Sequence, residues 1–105
     1  MRKIDVSSWP RREQFELFRD SHLPYFNVCA DVDITATRQA AKARGVPVTA
    51  AIVYLIARTA NRIQEFRYRI RGQSVVEHDL VHPASTVMTA DDLFTFCFFE
   101  YRDDF

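Results

Sequence analysis

Glycine is scarce in this sequence: Gly45 and Gly72 are the only two among 105 residues. A phosphate-cradling loop needs clustered glycines ahead of a helix, so nucleotide hydrolysis through such a loop is excluded. The two cysteines, Cys29 and Cys97, form no Cys-x-x-Cys pair, which removes zinc ribbons and dithiol redox motifs. They read as buried free thiols of a reduced protein. Net charge is also lacking, because fourteen basic residues balance fourteen acidic ones. No field would draw the chain to nucleic acid or an anionic membrane surface. No apolar run approaches the roughly 20 residues a bilayer requires, and MRKIDVSSW has no apolar signal core. A soluble, cytoplasmic chain is expected. Histidines are few, and His78 and His82 flank an extended stretch, so their H-x-x-x-H spacing does not present both on one helix face. No metal site is expected. No histidine is placed by the sequence beside Cys29, Cys97 or Ser85, so no nucleophile–base pair stands out and no catalytic residue is assigned.

What is abundant is apolar: 48% hydrophobic residues, with nine Phe and four Tyr. That composition argues for a packed core and against disorder. Without repeats or a linker, residues 1–105 are read as one domain or part of one.

Residues 2–7 read as a strand, followed by Ser7 or Ser8 as a helix cap before Trp9 and Pro10. From Arg11 to about His22, Phe15, Leu17 and Phe18 gather on one side of an amphipathic helix. Residues 26–34 alternate apolar and polar and predict a strand with one buried face. Thr35 caps a second helix that ends near Arg44, where Gly45 supplies a left-handed stop and Pro47 blocks continuation. Residues 48–63 are apolar nearly all round and predict a helix at the centre of the core. Phe66, Tyr68 and Ile70 alternate with arginines, Arg71-Gly72-Gln73 makes a turn and Ser74 to Glu77 begins a returning strand, which predicts a hairpin. Leu93 to Tyr101 is a strand apolar on both faces, which requires cover on both sides.

Phe18, Phe26 and Phe94 fall on separate elements at positions read as inward. Such residues either wall an apolar pocket for a small aromatic ligand or belong to the core, and spacing leaves both open.

Five segments in order carry a family resemblance. WPRREQFELFR (Trp9 to Arg19), DVDIT (Asp31 to Thr35), AIVYLIARTANRIQEFRYRI (Ala51 to Ile70), VHPASTV (Val81 to Val87) and EYRDDF (Glu100 to Phe105) resemble the N-terminal half of the chloramphenicol acetyltransferases. The resemblance implies an α/β fold: a two-layer sandwich with a mixed β-sheet, as in the CoA-dependent acyltransferases, with helices on one face of the sheet. It implies acetyl-CoA as co-substrate, a chloramphenicol-like acceptor hydroxyl, no metal, and a homotrimer with active sites between subunits. Phe18, Phe26 and Phe94 match positions lining the family's drug pocket, and within HLPYF both Tyr25 and Phe26 are candidates for one of them. Arg11 matches an arginine that supports the active site by pairing with the Asp of an H-x-x-x-D-G motif. In that motif the family's His is the general base.

No histidine here has Asp four residues on: Phe26 follows His22, His82 follows His78, and Thr86 follows His82. The chain alone is therefore expected to be inactive and to need a complementary C-terminal half. Arg11 must then find another acidic partner or face solvent. The other reading is a half-length module that binds small molecules or assembles without chemistry.

Overall fold

The computed structural model describes residues 1–103; Asp104 and Phe105, the end of the EYRDDF segment, lie outside the described residues. Strand β1 (Arg2–Ile4) pairs antiparallel with β3 (Ser74–Glu77), which pairs on its other edge with β2 (Tyr68–Arg71), giving the order β1-β3-β2. A second sheet joins β4 (Ala84–Met88) and β5 (Phe94–Phe98), also antiparallel. Three helices, α1 (Arg12–Phe18), α2 (Thr35–Ala43) and α3 (Val48–Arg62), complete the α/β architecture, with α2 packed on α3.

Several local expectations hold for the physical reasons given. Gly72 opens the two-residue β2–β3 turn at φ 60°, and Gly45 stands at φ 65° after α2. A positive φ at the first central residue matches the strand twist, and glycine adopts it without a Cβ clash.

Others are corrected. The serines do not cap α1; Asp5 accepts from the Ser7 N–H at 3.1 Å and caps a single 3-10 turn over Val6–Ser8. The helix then begins at Arg12 and stops at Phe18, short of His22. Asp33, not Thr35, supplies the oxygen at the start of α2, accepting from Thr35 N–H at 2.9 Å and Thr35 Oγ1 at 2.6 Å. An Asx side chain two residues back mimics the missing turn and leaves Thr35 inside the helix. Residues 26–34 run exposed and without regular secondary structure, because no strand among the described residues lies alongside to complete a ladder. β4 was not anticipated: its residues ASTVM carry too few large apolar side chains to show an alternation.

The core is small. Ile4, Val75 and Val76 are buried at the first sheet, Ala41 and Ala57 where α2 meets α3, and Tyr101 beyond β5. α3 is not the buried centre expected: of its residues only Ala57 is buried, while Leu55 and Ile56 are exposed. Cys29 is exposed and Cys97 half-buried, so the expectation of two buried thiols fails. The Cα radius of gyration is 17.5 Å, against about 13 Å for a compact domain of about 100 residues. Among the described residues no single helix is long and apolar enough to cross a membrane.

Candidate functional site

An apolar cavity of about 500 Å³ lies between α3, β4 and the segment after β5. One face of α3 forms its floor through Val53, Tyr54 and Ala57, and Phe99 and Tyr101 close it from the C-terminal side. Tyr54 stacks on Tyr101 with ring centroids 6.2 Å apart and planes 30° from parallel.

Hydrogen bonds fix this arrangement. Asn61 donates from Nδ2 to the carbonyls of Ala57 and Val81, both at 2.9 Å, and its Oδ1 accepts from the Val81 N–H at 2.8 Å. One side chain thereby reads both polar groups of a residue twenty positions on and ties the entry of β4 to α3. His82 Nδ1 accepts from the Tyr101 N–H at 2.9 Å, so the neutral ring carries its proton on Nε2. The Tyr101 hydroxyl donates to Asp103 Oδ1 at 2.8 Å, and Arg58 Nε lies 3.7 Å from the same oxygen. Burial, then the Asp103 contact, pushes the Tyr101 phenol above its usual range, so it is a neutral donor at physiological pH.

A second polar cluster knits the three-stranded sheet. Glu77 on β3 accepts from Gln64 at 2.9 Å and pairs with Arg2 of β1 and, at 2.8 Å, with Arg67. The Gln64 and Arg2 contacts hold its carboxyl down at about 2. The Glu77 carboxylate is thus held by three side chains, although the buried Arg67 Nε has no hydrogen-bond partner, and the cluster joins β1 to β3.

The aromatic candidates stand apart from the cavity. Phe18 at the end of α1 is 56% exposed, Tyr25 84%, Phe26 90% and Phe94 at the start of β5 68%, and none lines the cavity. They are not the inward residues that periodicity suggested. Phe94 packs edge-on against Phe96 at 6.2 Å. Arg11, just ahead of α1, places Nη2 3.0 Å from Glu65 Oε1, with both side chains largely exposed. It has found another acidic partner. Of the histidines, His22 is exposed, His78 Nε2 sits 3.1 Å from Arg71 Nη2, and His82 holds the Tyr101 backbone.

Sequence reasoning missed Tyr54, Arg58, Asn61 and Tyr101. The signal was present in the spacing: Tyr54, Ala57, Arg58 and Asn61 recur at three and four residues, a single helix stripe, and three of them bear polar groups within an apolar run.

Comparison with known proteins bears directly on this arrangement. A family model described as "Chloramphenicol acetyltransferase" matches residues 1–105. Among curated proteins, a chloramphenicol acetyltransferase of Klebsiella sp is 33% identical over 103 residues, 97% of this chain and 47% of that protein. Chloramphenicol acetyltransferase 2 of Haemophilus influenzae is 31% identical over 97% of this chain and 48% of its own length. A solved structure described as "chloramphenicol acetyltransferase" superposes with a TM-score of 0.88 at 34% identity, over 97% of this chain and 50% of that one. The chain thus spans about half the length of the curated relatives it matches.

Proposed function

The chain belongs to the chloramphenicol acetyltransferase family, and from that premise we propose that it is the half of an acetyl-CoA-dependent O-acetyltransferase that supplies acceptor-pocket walls and scaffold. The acceptor is chloramphenicol or a related xenobiotic alcohol, and the complete enzyme is a cytoplasmic trimer that confers resistance to the drug. One observation carries the reading: a family match along the whole chain that covers only about half of each relative.

Acetyl transfer to an alcohol needs a base to take the hydroxyl proton as oxygen attacks the thioester carbonyl. It also needs donors for the tetrahedral oxyanion before the thiolate leaves. His78 and His82 are engaged by Arg71 and the Tyr101 backbone, and His22 lies exposed beyond α1. On this reading the base, the Asp that partners Arg11, and the oxyanion donor come from the other half of the relatives' length. Arg11, held at the surface by Glu65, is free to exchange that exposed partner for a better one, since such pairs are worth only about 0–1 kcal/mol. Phe18, Tyr25, Phe26 and Phe94 become pocket walls once that half covers them.

The test is an acetyl-CoA-dependent chloramphenicol acetylation assay on the chain alone and on the chain mixed with the unmatched half of the Klebsiella relative. The expected result is no turnover alone and turnover on mixing. Turnover by the chain alone overturns the reading. A non-catalytic binding module is favoured instead by one feature, the apolar cavity of about 500 Å³, which lies within the usual size range of ligand sites. Silence from associated halves, with a saturable small-molecule ligand at Tyr54 and Tyr101, selects that second reading.

A further inference from the structure

The two faces of the β1-β3-β2 sheet differ in charge. By the strand register, Arg2, Glu77 and Tyr68 share one face with Ile4, Val75 and Ile70, and Trp9 stands edge-on to Tyr68 on that side at 5.6 Å. Lys3, Val76 and Arg69 lie on the opposite face with Ser74 and Arg71, and His78 follows Val76 by two positions on the same side. Lys3, Arg69 and Arg71 are exposed, and none of them is in an ion pair among the described residues. No strand residue on their face is acidic.

On this face an arginine ends on a histidine. Arg71 Nη2 lies 3.1 Å from His78 Nε2, and since a guanidinium only donates, that nitrogen accepts and the neutral ring carries its proton on Nδ1. Arg71 pairs with Ser74, four positions before His78, a separation of about 13 Å along the strand at about 3.3 Å per residue. The Arg71 side chain therefore runs extended along the face over Val76, which is 6% exposed. Its remaining N–H groups find no partner among the described residues. The other charges around His78 are engaged elsewhere. Arg67 Nη1 donates to the His78 carbonyl at 2.9 Å, Asp79 bridges to the Met1 amine at 3.1 Å, Arg69 Nη1 donates to the carbonyls of Phe66 and Tyr68, and Glu77 is on the other face.

We propose that Arg71 and His78, with Lys3 on the adjoining strand, bind a phosphate group on the outer face of the β1-β3-β2 sheet. The anion replaces the imidazole as acceptor for the guanidinium fork, and His78, taking one proton from solvent, becomes a second charged donor. A carboxylate is satisfied in plane by the fork alone, whereas a tetrahedral dianion has oxygens left for His78 and Lys3 and enough charge to compensate a protonated ring. The zero net charge of the chain supplies no wider field for a polyanion, which confines the ligand to a compact group. The site is separate from acetyl transfer and needs no second polypeptide.

Nuclear magnetic resonance of the three imidazoles in the whole chain tests this. The probes are sulfate, a tetrahedral dianion of constant charge across the histidine range of about pH 5–8, and inorganic phosphate, phenyl phosphate and acetate. Sulfate should move His78 saturably, with Kd on the order of 1 mM, and leave His22 and His82 in place. Its affinity should rise at least about fivefold from about pH 8 to about pH 6, because a bound dianion favours the protonated ring. Arg71→Gln should weaken sulfate at least about tenfold at both pH values, and His78→Gln should abolish the pH dependence. Phenyl phosphate bound more tightly than inorganic phosphate assigns the group to a larger ligand, and equal affinities assign it to the free ion; both support the site. A His78 response that chloride reproduces at equal ionic strength is screening and overturns the proposal. Acetate bound as tightly as sulfate overturns the phosphate assignment, and so does sulfate affinity unchanged in a folded Arg71→Gln. Where that variant does not fold, unchanged sulfate affinity in both Lys3→Gln and His78→Gln overturns it instead.

Discussion

Asn61→Ala isolates the contact that joins α3 to β4. It removes hydrogen bonds of 2.9, 2.9 and 2.8 Å and leaves the half-buried Val81 N–H and C=O without their side-chain partner. At about 1 kcal/mol net for each of the three bonds, with water able to replace part of the loss at the half-buried Val81 peptide, the loss is about 2–3 kcal/mol. Against a typical domain stability of about 5–15 kcal/mol this is a large fraction, and in a chain this size it lowers Tm by on the order of 10 °C. Asn61→Asp sharpens the test, because it keeps the acceptor for Val81 N–H but turns an oxygen toward two carbonyls. At neutral pH it should be less stable than the alanine variant. Below about pH 4 the carboxyl protonates and regains one donor, so the order reverses. Thermal unfolding by circular dichroism reads all three proteins. An alanine variant within about 0.5 kcal/mol of the parent, or an aspartate variant indistinguishable from it at neutral pH, refutes the clamp.

Two further outcomes follow from the charged contacts. Glu77 has a folded-state pKa of about 2 against an ordinary 4.5, a depressed value, so its stabilisation is present above about pH 4.5 and is lost as pH falls toward 2. Denaturation midpoints measured across that window should fall less steeply in Glu77→Gln than in the parent; equal slopes would remove Glu77 from the acid response, leaving the lowered carboxyls of Asp5 and Asp33 to account for it. For the exposed Arg11–Glu65 pair, a double-mutant cycle of Arg11→Ala and Glu65→Ala should give a coupling below about 1 kcal/mol that fades in high salt. A coupling of several kcal/mol would show that the pair is structural and not a loose partner.

Local geometry was legible where one residue type has one physical answer. Gly72 and Gly45 marked left-handed positions, and the β2–β3 hairpin and the spans of α2 and α3 followed from turns and periodicity. What could not be read was burial. The alternation from Phe26 to Ile34 and the all-round apolar surface of α3 specify faces that something covers, and periodicity is silent on whether the cover lies within the same chain. The inward assignment of Phe18, Phe26 and Phe94 failed for that reason, while the resemblance to the acetyltransferases, which depends on residue identity and order, did not. The stripe of Tyr54, Arg58 and Asn61 was not legible because its polar members sit within an apolar helical run, although each directs its contact to a segment after β3.

The exposed apolar residues also set how much a covering polypeptide of the kind proposed above would contribute. Burying a phenylalanine contributes about 1.5–3 kcal/mol, so covering Phe94, Phe96 and Phe98 alone is worth about as much as the net stability of a small domain. Tyr25, Phe26 and the outer face of α3 add to that sum. On the reading proposed above, a polypeptide that covered them would be a thermodynamic component of the native state, not an effector that visits it. If the polypeptide that covers β5 also brings the general base, folding and catalytic competence are coupled, because the contacts that order the aromatic walls are the contacts that deliver the proton acceptor. Activity and amide protection at Phe94, Phe96 and Phe98 should then rise together with partner concentration, along one binding curve.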